Sequence, residues 1–305
     1  MIPPFEDILK SAMGMEPRRV VVPFPAADDI RALSRAAGSG LVVPCLVGNG
    51  VSLKRSVERT PLASLKHEIA HAAGRRDALW QAITRVREGL ADMLMQGGVP
   101  LRTLMKAVLD PVMGLKKRGG TPSYISLLAL PKQDRLILIT DTFLNDFPTL
   151  VEKQGILNNA VHLARLLGIE TPKAAVLAAI EQVNPGISST LDAAILSKMG
   201  ERRQFGAAVV EGPLDIDCAL SKVAADRKGV VSAVTGNVDI YLVPEIDTGY
   251  LLVEALVYFG GMDTVGLVAG TAGPVILKHP CVSEENRIVE IGLAGLLCAG
   301  EADGG

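Results

Sequence analysis

The feature that most limits what this chain can fold into is a rhythm. Short apolar runs rich in β-branched residues alternate with helical patterns, and polar or glycine-bearing loops separate them. RRVVVPFP reads as a buried strand around Val20–Val22, the polar ADD at 27–29 opens a helix through IRALSRAAGSG, and LVVPCLVG at 41–48 is a second strand. Strand, helix, strand is the unit of a parallel sheet, because a parallel pair needs a crossover. The rhythm recurs in ALWQAITRVREG then ADMLMQGG, in KAAVLAAIEQ, LDAAILSKMGER and AAVVEG, and in VDIYLVP, LLVEALVYFGG and VGLVAG. SYISLLAL and RLILITD read as adjacent strands joined at PKQD, a turn sequence. SEENRIVEIGLAGLLCA reads as a closing helix with Ser283 as its N-cap. The fold class is α/β with a mostly parallel sheet.

Such sheets bind ligands where strands run into loops. The loops that fit are QGG (96–98), TDTFLND (140–146), EGPLDID (211–217), PEIDTGY (244–250) and GTAGPVILKHP (270–280). No G-x-G-x-x-G follows a strand and no G-x-x-x-x-G-K-[ST] is present, so the two common nucleotide fingerprints are missing.

One short motif competes with this reading. HEIAHAAGRRD supplies His67, Glu68, His71, Gly74 and Asp77 at the spacing of a zinc protease with an acidic third ligand. That chemistry requires a helix, which puts His67 and His71 on one face and lets Glu68 polarise a bound water. The alternative is a short strand, HEIAHA, with GRRD capping the next helix. The strand fits the surrounding rhythm, no supporting methionine turn follows, and a zinc metalloprotease is the remote alternative.

Bulk properties exclude other classes. The 305 residues are 49% hydrophobic and 21% charged, with a net charge of −2, so the basic excess of a nucleic-acid binder is missing. Aromatics are only 4%, too few for base-stacking platforms. Cys45, Cys218, Cys281 and Cys298 stand far apart, as buried reduced thiols of a cytosolic protein would. The N-terminal MIPPFEDILKSAMG lacks the apolar centre of a signal peptide, and no apolar run reaches the ~18 residues of a membrane span.

Several of these segments, taken together and in order, resemble the phosphate acetyl/butyryltransferase family. They include FEDILKSAMGMEPRRVVVP, REGLADMLMQGGVPLRTLMKAVLD, LILITDTFLNDFPTLVEKQGILNNAVHLARLLGIETPKAAVLAAIEQVNP, EGPLDIDCALSKVAADRKG, GNVDIYLVPEIDTGYLLVEALVYFGG and GLVAGTAGPVILKHP. The resemblance implies two α/β domains of the isocitrate/isopropylmalate dehydrogenase-like type with an inter-domain cleft. The expected division is 1–132 plus 279–305 for the first domain and 133–278 for the second. It also implies acyl transfer between CoA and inorganic phosphate in a cytoplasmic homodimer. Acyl-CoA or CoA and phosphate or acyl phosphate would be its partners, with no metal, no prosthetic group, no nucleic acid and no membrane. Coenzyme A enters as substrate.

The same resemblance assigns candidate residues. Lys278, His279 and Ser283 are the catalytic candidates. Gln96, Gly97, Ser123, Tyr124, Asp141, Gly212, Pro213, Asp217, Gly249 and Tyr250 are the substrate-binding candidates. Alternatively Gly97, Gly212 and Gly249 serve tight turns, and Asp141 and Asp217 cap helices. The family's Ser-Arg pair aligns with His279 and Pro280, and proline offers neither a phosphate contact nor an N–H. The family's Lys-Gly aligns with Gln96-Gly97, its Gly-Asn with Gly249-Tyr250, and its D-G-P-L starts here with Glu211. A diverged, weakly active or inactive member that binds CoA or an acyl ligand is therefore the alternative.

Overall fold

The computed structural model describes residues 2–130 and 135–302. The chain forms two compact units, one built from Phe5–Pro122 and the chain from Val265 onward, the other from Ser123–Thr264 with the residues up to Pro4. They are called the flanking and the central unit. Both boundaries fall earlier than the expected 132/133 and 278/279, and the first residues belong with the central unit. Leu136 N–H donates to the Ile2 carbonyl, and Ile2 is fully buried. The PKQD turn lies outside the described residues.

In the flanking unit, α1 (Phe5–Met13) leads into β1 (Arg18–Pro23), α2 (Ala27–Gly38), β2 (Val42–Gly48) and α3 (Gly50–Val57). A short 3₁₀ turn at Pro61–Ser64 precedes β3 (Glu68–His71), α4 (Arg75–Arg87), β4 (Met93–Met95) and α5 (Leu101–Val108). β2, β1 and β4 are neighbours in parallel, and β3 adds to the outer edge of β2. These strands are almost wholly apolar because helices cover both faces of a parallel sheet. Val20, Val21, Val22, Met93 and Leu94 are all fully buried.

The central unit holds β5 (Ser123–Ala129), β6 (Leu136–Thr140), α6 (Leu150–Leu166), β7 (Lys173–Leu177), α7 (Ser188–Glu201) and β8 (Val209–Leu214). Two short helices, α8 (Ile216–Leu220) and α9 (Lys222–Lys228), precede β9 (Ile240–Leu242) and α10 (Ile246–Tyr258). The strand order is β5-β6-β9-β7-β8, antiparallel between β5 and β6 and parallel thereafter. α6 starts at a complete capping box, in which Thr149 accepts from Glu152 N–H and the Glu152 carboxylate accepts from Thr149 N–H.

The chain then completes the flanking unit with β10 (Thr264–Ala269), β11 (Val275–Ile276) and α11 (Arg287–Ala302). β11 turns back antiparallel on β10 and pairs parallel with β4. The closing helix begins later than expected. Ser283 is not its N-cap; the Ser283 hydroxyl accepts from Asn286 N–H in the turn before it. α1 and α11 pack closely at Gly292, where an added Cβ would sit 3.3 Å from Ala12 Cβ.

The zinc motif does not form its helix. Glu68–His71 is a strand in register with Cys45–Gly48, and His67 precedes it. The His67 ring meets the Leu65 carbonyl, His71 Nδ1 accepts from Gly50 N–H, and Glu68 pairs with Arg85. Asp77 lies in the first turn of α4 and accepts from Ala73 N–H. The two imidazoles are thus spent on separate local contacts. All four cysteines are free thiols; Cys45 and Cys218 are buried, whereas Cys281 and Cys298 are only half-buried.

Candidate functional site

In the flanking unit, β1, β4 and β11 run side by side in one direction, so their following loops gather at one end of the sheet. These loops carry Phe24–Ala26, Gln96–Gly98 and Leu277–His279. Gln96 ties two of them together. Its side-chain oxygen accepts from Lys278 N–H at 2.8 Å, and its amide nitrogen donates to the Val99 carbonyl at 3.1 Å. Gly97 and Gly98 permit the third loop to approach. A Cβ on Gly97 would lie 2.2 Å from the Pro23 carbonyl oxygen, and one on Gly98 2.6 Å from that of Phe24. Phe24 itself has a positive φ of 53°, and its ring carries the Arg75 guanidinium at 5.3 Å.

Lys278 reaches back to α2. Its Nζ lies 2.8 Å from Asp29 and 3.2 Å from Asp28. Asp29 is almost fully buried and also accepts from Ala26 N–H at 2.7 Å. Burial pushes the Asp29 carboxyl above its ordinary pKa, with the Lys278 hydrogen bond and charge acting against it. At the more open Asp28 burial acts the same way, but Lys278 outweighs it and the pKa lies below the ordinary value. The lysine is therefore a clasp between loop and helix as much as a free cation.

His279 is 8% exposed, and its Nδ1 accepts from Cys281 N–H at 3.3 Å, turning the chain toward Pro280. Behind this turn stands a pair that sequence reasoning missed. Arg287 donates 2.6 Å hydrogen bonds to the Leu277 carbonyl and to Glu290. Glu290 is fully buried and accepts from Gly266 N–H at 3.1 Å. Burial pushes its pKa up to about 7 against the influence of Arg287. The signal was a lone carboxylate in the apolar run IVEIGLAGLL, since a buried acid needs a partner.

The central unit assembles a different surface. β5 opens where β6 ends, with Ile125 opposite Thr140, so Ser123 and Tyr124 meet the loop that starts at Asp141. The Asp141 carboxylate accepts from the backbone N–H of Tyr124, Phe143, Leu144 and Asn145 and from the Asn145 side chain. It caps this loop rather than a helix. Burial holds its pKa above the ordinary value despite those donors. Ser123 is fully buried and accepts from the Asn159 side chain at 2.9 Å.

Over this loop lies an aromatic row. The Tyr124 ring centroid is 5.5 Å from that of Phe143, and Phe143 is 6.3 Å from Tyr250. Tyr124 is buried, whereas Tyr250 is 41% exposed and forms the open end. Gly249, one residue before it on α10, lets the helix touch the loop. An added Cβ would stand 2.7 Å from the Asp141 carbonyl oxygen. Gly212 has a like role in β8, where a Cβ would sit 2.8 Å from the Val176 carbonyl oxygen; Pro213 follows it and is buried.

Asp217 stands elsewhere, as part of a cation-centred cluster. Lys228 Nζ lies 2.9 Å from Asp217 and 2.6 Å from Glu181, and also contacts Asp215. Asp215, not Asp217, is the N-cap of α8. Most of the candidates thus form one group on each unit; Gly212 and Pro213 lie apart on the edge strand β8, where Gly212 packs against Val176 and Ala193, and Asp217 is engaged by Lys228. Phe143, Asn145, Asn159, Asp28 and Asp29 join those groups without having been singled out by the sequence.

A model of the family described as phosphate acetyl/butaryl transferase matches residues 52–294. A phosphate butyryltransferase of Clostridium acetobutylicum is 36% identical, covering 97% of this chain and 99% of its own length. A probable phosphate butyryltransferase of Bacillus subtilis is 40% identical, over 97% of this chain and 98% of its own. The chain belongs to the phosphate acetyl/butyryltransferase family. The crystal structure of a branched-chain phosphotransacylase from Enterococcus faecalis V583 superimposes on this family member with a TM-score of 0.78 at 26% identity, covering 92% of this chain and 99% of the other. Among the described residues, no helix is long and apolar enough to cross a membrane.

Proposed function

We propose that this family member transfers an acyl group between the CoA thiol and inorganic phosphate. The observation that carries the proposal is the full-length likeness to two butyryltransferase relatives, at 36% and 40% identity. In one direction a phosphate oxygen attacks the thioester carbonyl, the C–S bond breaks, and the departing thiolate takes up a proton. The reverse reaction starts with thiolate attack on the acyl phosphate. Either way the residues must place two anionic partners and stabilise a developing oxyanion. In this reading Lys278, its loop held in place by Gln96, supplies positive charge, and His279 supplies a ring N–H donor for phosphate. Ser283 supports their turn. Tyr124, Phe143 and Tyr250 form an apolar wall for the acyl chain, and Gly249 brings backbone close to it, while Gly212 and Pro213 shape the neighbouring edge of the sheet.

The cytoplasmic location and homodimeric state belong to the same proposal. Support for the latter comes from α10, which exposes Leu251, Tyr258 and the following Phe259 to solvent. Light scattering that returned a monomer at working concentration would remove that part.

A specific observation favours a second reading. Lys278 is already neutralised by Asp28 and Asp29, and Pro280 stands where the family places arginine. In that reading the chain binds CoA or an acyl ligand but transfers poorly. Thiol release from butyryl-CoA and acetyl-CoA, with and without phosphate, decides between them. Phosphate-dependent turnover at ordinary enzyme rates supports transfer, and Lys278→Met then raises the KM for phosphate. Binding of CoA without phosphate-dependent release supports the second reading.

A further inference from the structure

The flanking unit carries a groove that none of the residues discussed so far explains. It runs between α2 and α3, encloses about 810 Å³, and ends beside Thr60 and Pro61. Its walls are two helical stripes. Ala27, Ile30, Arg31, Ser34, Arg35 and Gly38 follow one another at the three- and four-residue spacing that puts them on one face of α2. Ser52, Arg55, Ser56 and Arg59 repeat that spacing along α3 and the residues just beyond it.

Two adjacent helices ordinarily meet through apolar stripes. Here each stripe sets two arginines four residues apart, so each wall carries like charges as neighbours; within α2, where both Arg31 and Arg35 are helical, that arrangement weakens the helix unless something offsets it. Arg31 reaches Glu284 at 3.2 Å, a pair with both side chains largely exposed. Among the described residues, Arg35, Arg55 and Arg59 form no ion pair. The whole chain has a net charge of −2, so this concentration of unbalanced guanidinium groups is local and does not follow from composition. The floor is different in kind, because Ile30 is 2% exposed and Pro61 closes the lower end.

The ligand that fits must be anionic at more than one point and flat and apolar elsewhere. Guanidinium groups take phosphate through paired N–H donors and also stack on aromatic faces. A lone phosphate would use one corner of the groove and leave its floor uncovered. We propose that the groove between α2 and α3 binds a nucleotide-class ligand, phosphates between the Arg31/Arg35 and Arg55/Arg59 walls and base on the Ile30–Pro61 floor. That chemistry has two sources: the phosphorylated adenosine half of CoA, or a free adenine nucleotide acting as an effector. The CoA source rests on the acyltransferase reading above; the binding itself does not.

The experiment is calorimetric titration of the full-length chain with adenosine 3′,5′-bisphosphate, ADP and ATP, for the native protein and for Arg55→Ala/Arg59→Ala. These arginines are exposed, and an unchanged thermal melt verifies that the double variant is folded. The expected result is binding to the native chain that weakens at least about tenfold in the variant, since a charge-assisted hydrogen bond is worth a factor of ten or more. If CoA is the source, the bisphosphate binds best, and the variant raises the KM for acyl-CoA while that for acyl-pantetheine stays put. If a free nucleotide is the source, ADP or ATP binding falls and the KM for acyl-CoA is unmoved. Equal binding by native and variant chains, or none by the native chain at millimolar nucleotide, overturns the proposal. Absence of acyl transfer would sink the acyltransferase reading and leave the titration intact.

Discussion

The two groups of candidate residues solve the same placement problem by opposite means. In the flanking unit the loop 277–279 is held by charge, with Lys278 on Asp28 and Asp29 and the Arg287–Glu290 pair beneath. In the central unit the loop 141–145 is held by one carboxylate whose bonds go to nearby backbone and the Asn145 side chain, under an aromatic row. Charge pairs on a loop are tunable by pH and by an arriving anion, which competes for the same lysine. A carboxylate saturated by N–H donors offers an arriving anion no such opening, because releasing it strands several donors at once. The flanking loop is therefore suited to respond to phosphate, and the central loop to hold a fixed wall.

That contrast fails first if Asp141 proves dispensable. Asp141→Ala removes the acceptor for donors on Tyr124, Phe143, Leu144 and Asn145. Leaving one buried and three part-buried backbone N–H groups unpaired costs about 5 kcal/mol, and urea unfolding is expected to show it. A loss under about 1 kcal/mol would mean that water replaces the carboxylate and that the loop is not rigid. The counterpart in the flanking unit is Gly97→Ala. Its Cβ would stand 2.2 Å from the Pro23 carbonyl oxygen, so the β1 and β4 loops must part. We expect a loss of about 4 kcal/mol, at the upper end for overpacking because the obstacle is backbone. Wild-type stability in Gly97→Ala would show that the loops are not in contact.

These two residues also mark how far sequence carried the reading. The alternation of strand and helix was legible throughout, because each element in a parallel sheet writes its own period. A strand as short as β3 has little period of its own, and HEIAHA was legible as a strand only from the rhythm around it. Its spacing satisfies a zinc helix on paper, yet pairing with Cys45–Gly48 makes it an edge strand. Pairing between distant segments overrides a local motif and leaves no mark inside it. The candidate glycines were legible as glycines, but the atoms that forbid a side chain lie in other segments, such as Pro23 for Gly97 and Val176 for Gly212. Lys278 was legible as a cation; that Asp28 and Asp29 await it 250 residues earlier was not.

Charge-held and dipole-held loops should also differ in acid and base. Glu290 has a folded pKa of about 7 against an ordinary value of 4.5, so its carboxyl keeps its proton in the folded chain over that window. The folded state binds the extra proton, so this contribution is fully present below pH 4.5 and is lost as pH rises through 7. The window is worth roughly 3 kcal/mol. Glu290→Gln keeps an acceptor for Gly266 N–H and Arg287 but has no proton to lose. Its stability, measured by urea unfolding between pH 4.5 and 8, is expected to fall less across that window than the native chain's. Parallel pH profiles for the two proteins would remove Glu290 as a titrating support of the 277–279 loop.

The smallest effect tests the aromatic row at its open end. Tyr250 is 41% exposed, so truncation removes part of a ring's burial and its tilted contact with Phe143. Tyr250→Ala should cost about 1 kcal/mol of stability. Its informative readout is selectivity rather than stability. If the row is the acyl wall, the variant weakens binding of butyryl-CoA more than acetyl-CoA, because the two extra methylenes lose their contact surface. At ~0.8 kcal/mol per buried CH₂, the ratio of kcat/KM between the two substrates should shift severalfold toward acetyl. Tyr124 is 2% exposed and lies at the closed end, so Tyr124→Phe, which keeps the ring, should leave that ratio alone. An equal fall for both substrates in Tyr250→Ala would mean that the ring supports the loop at Phe143 and does not line the acyl path.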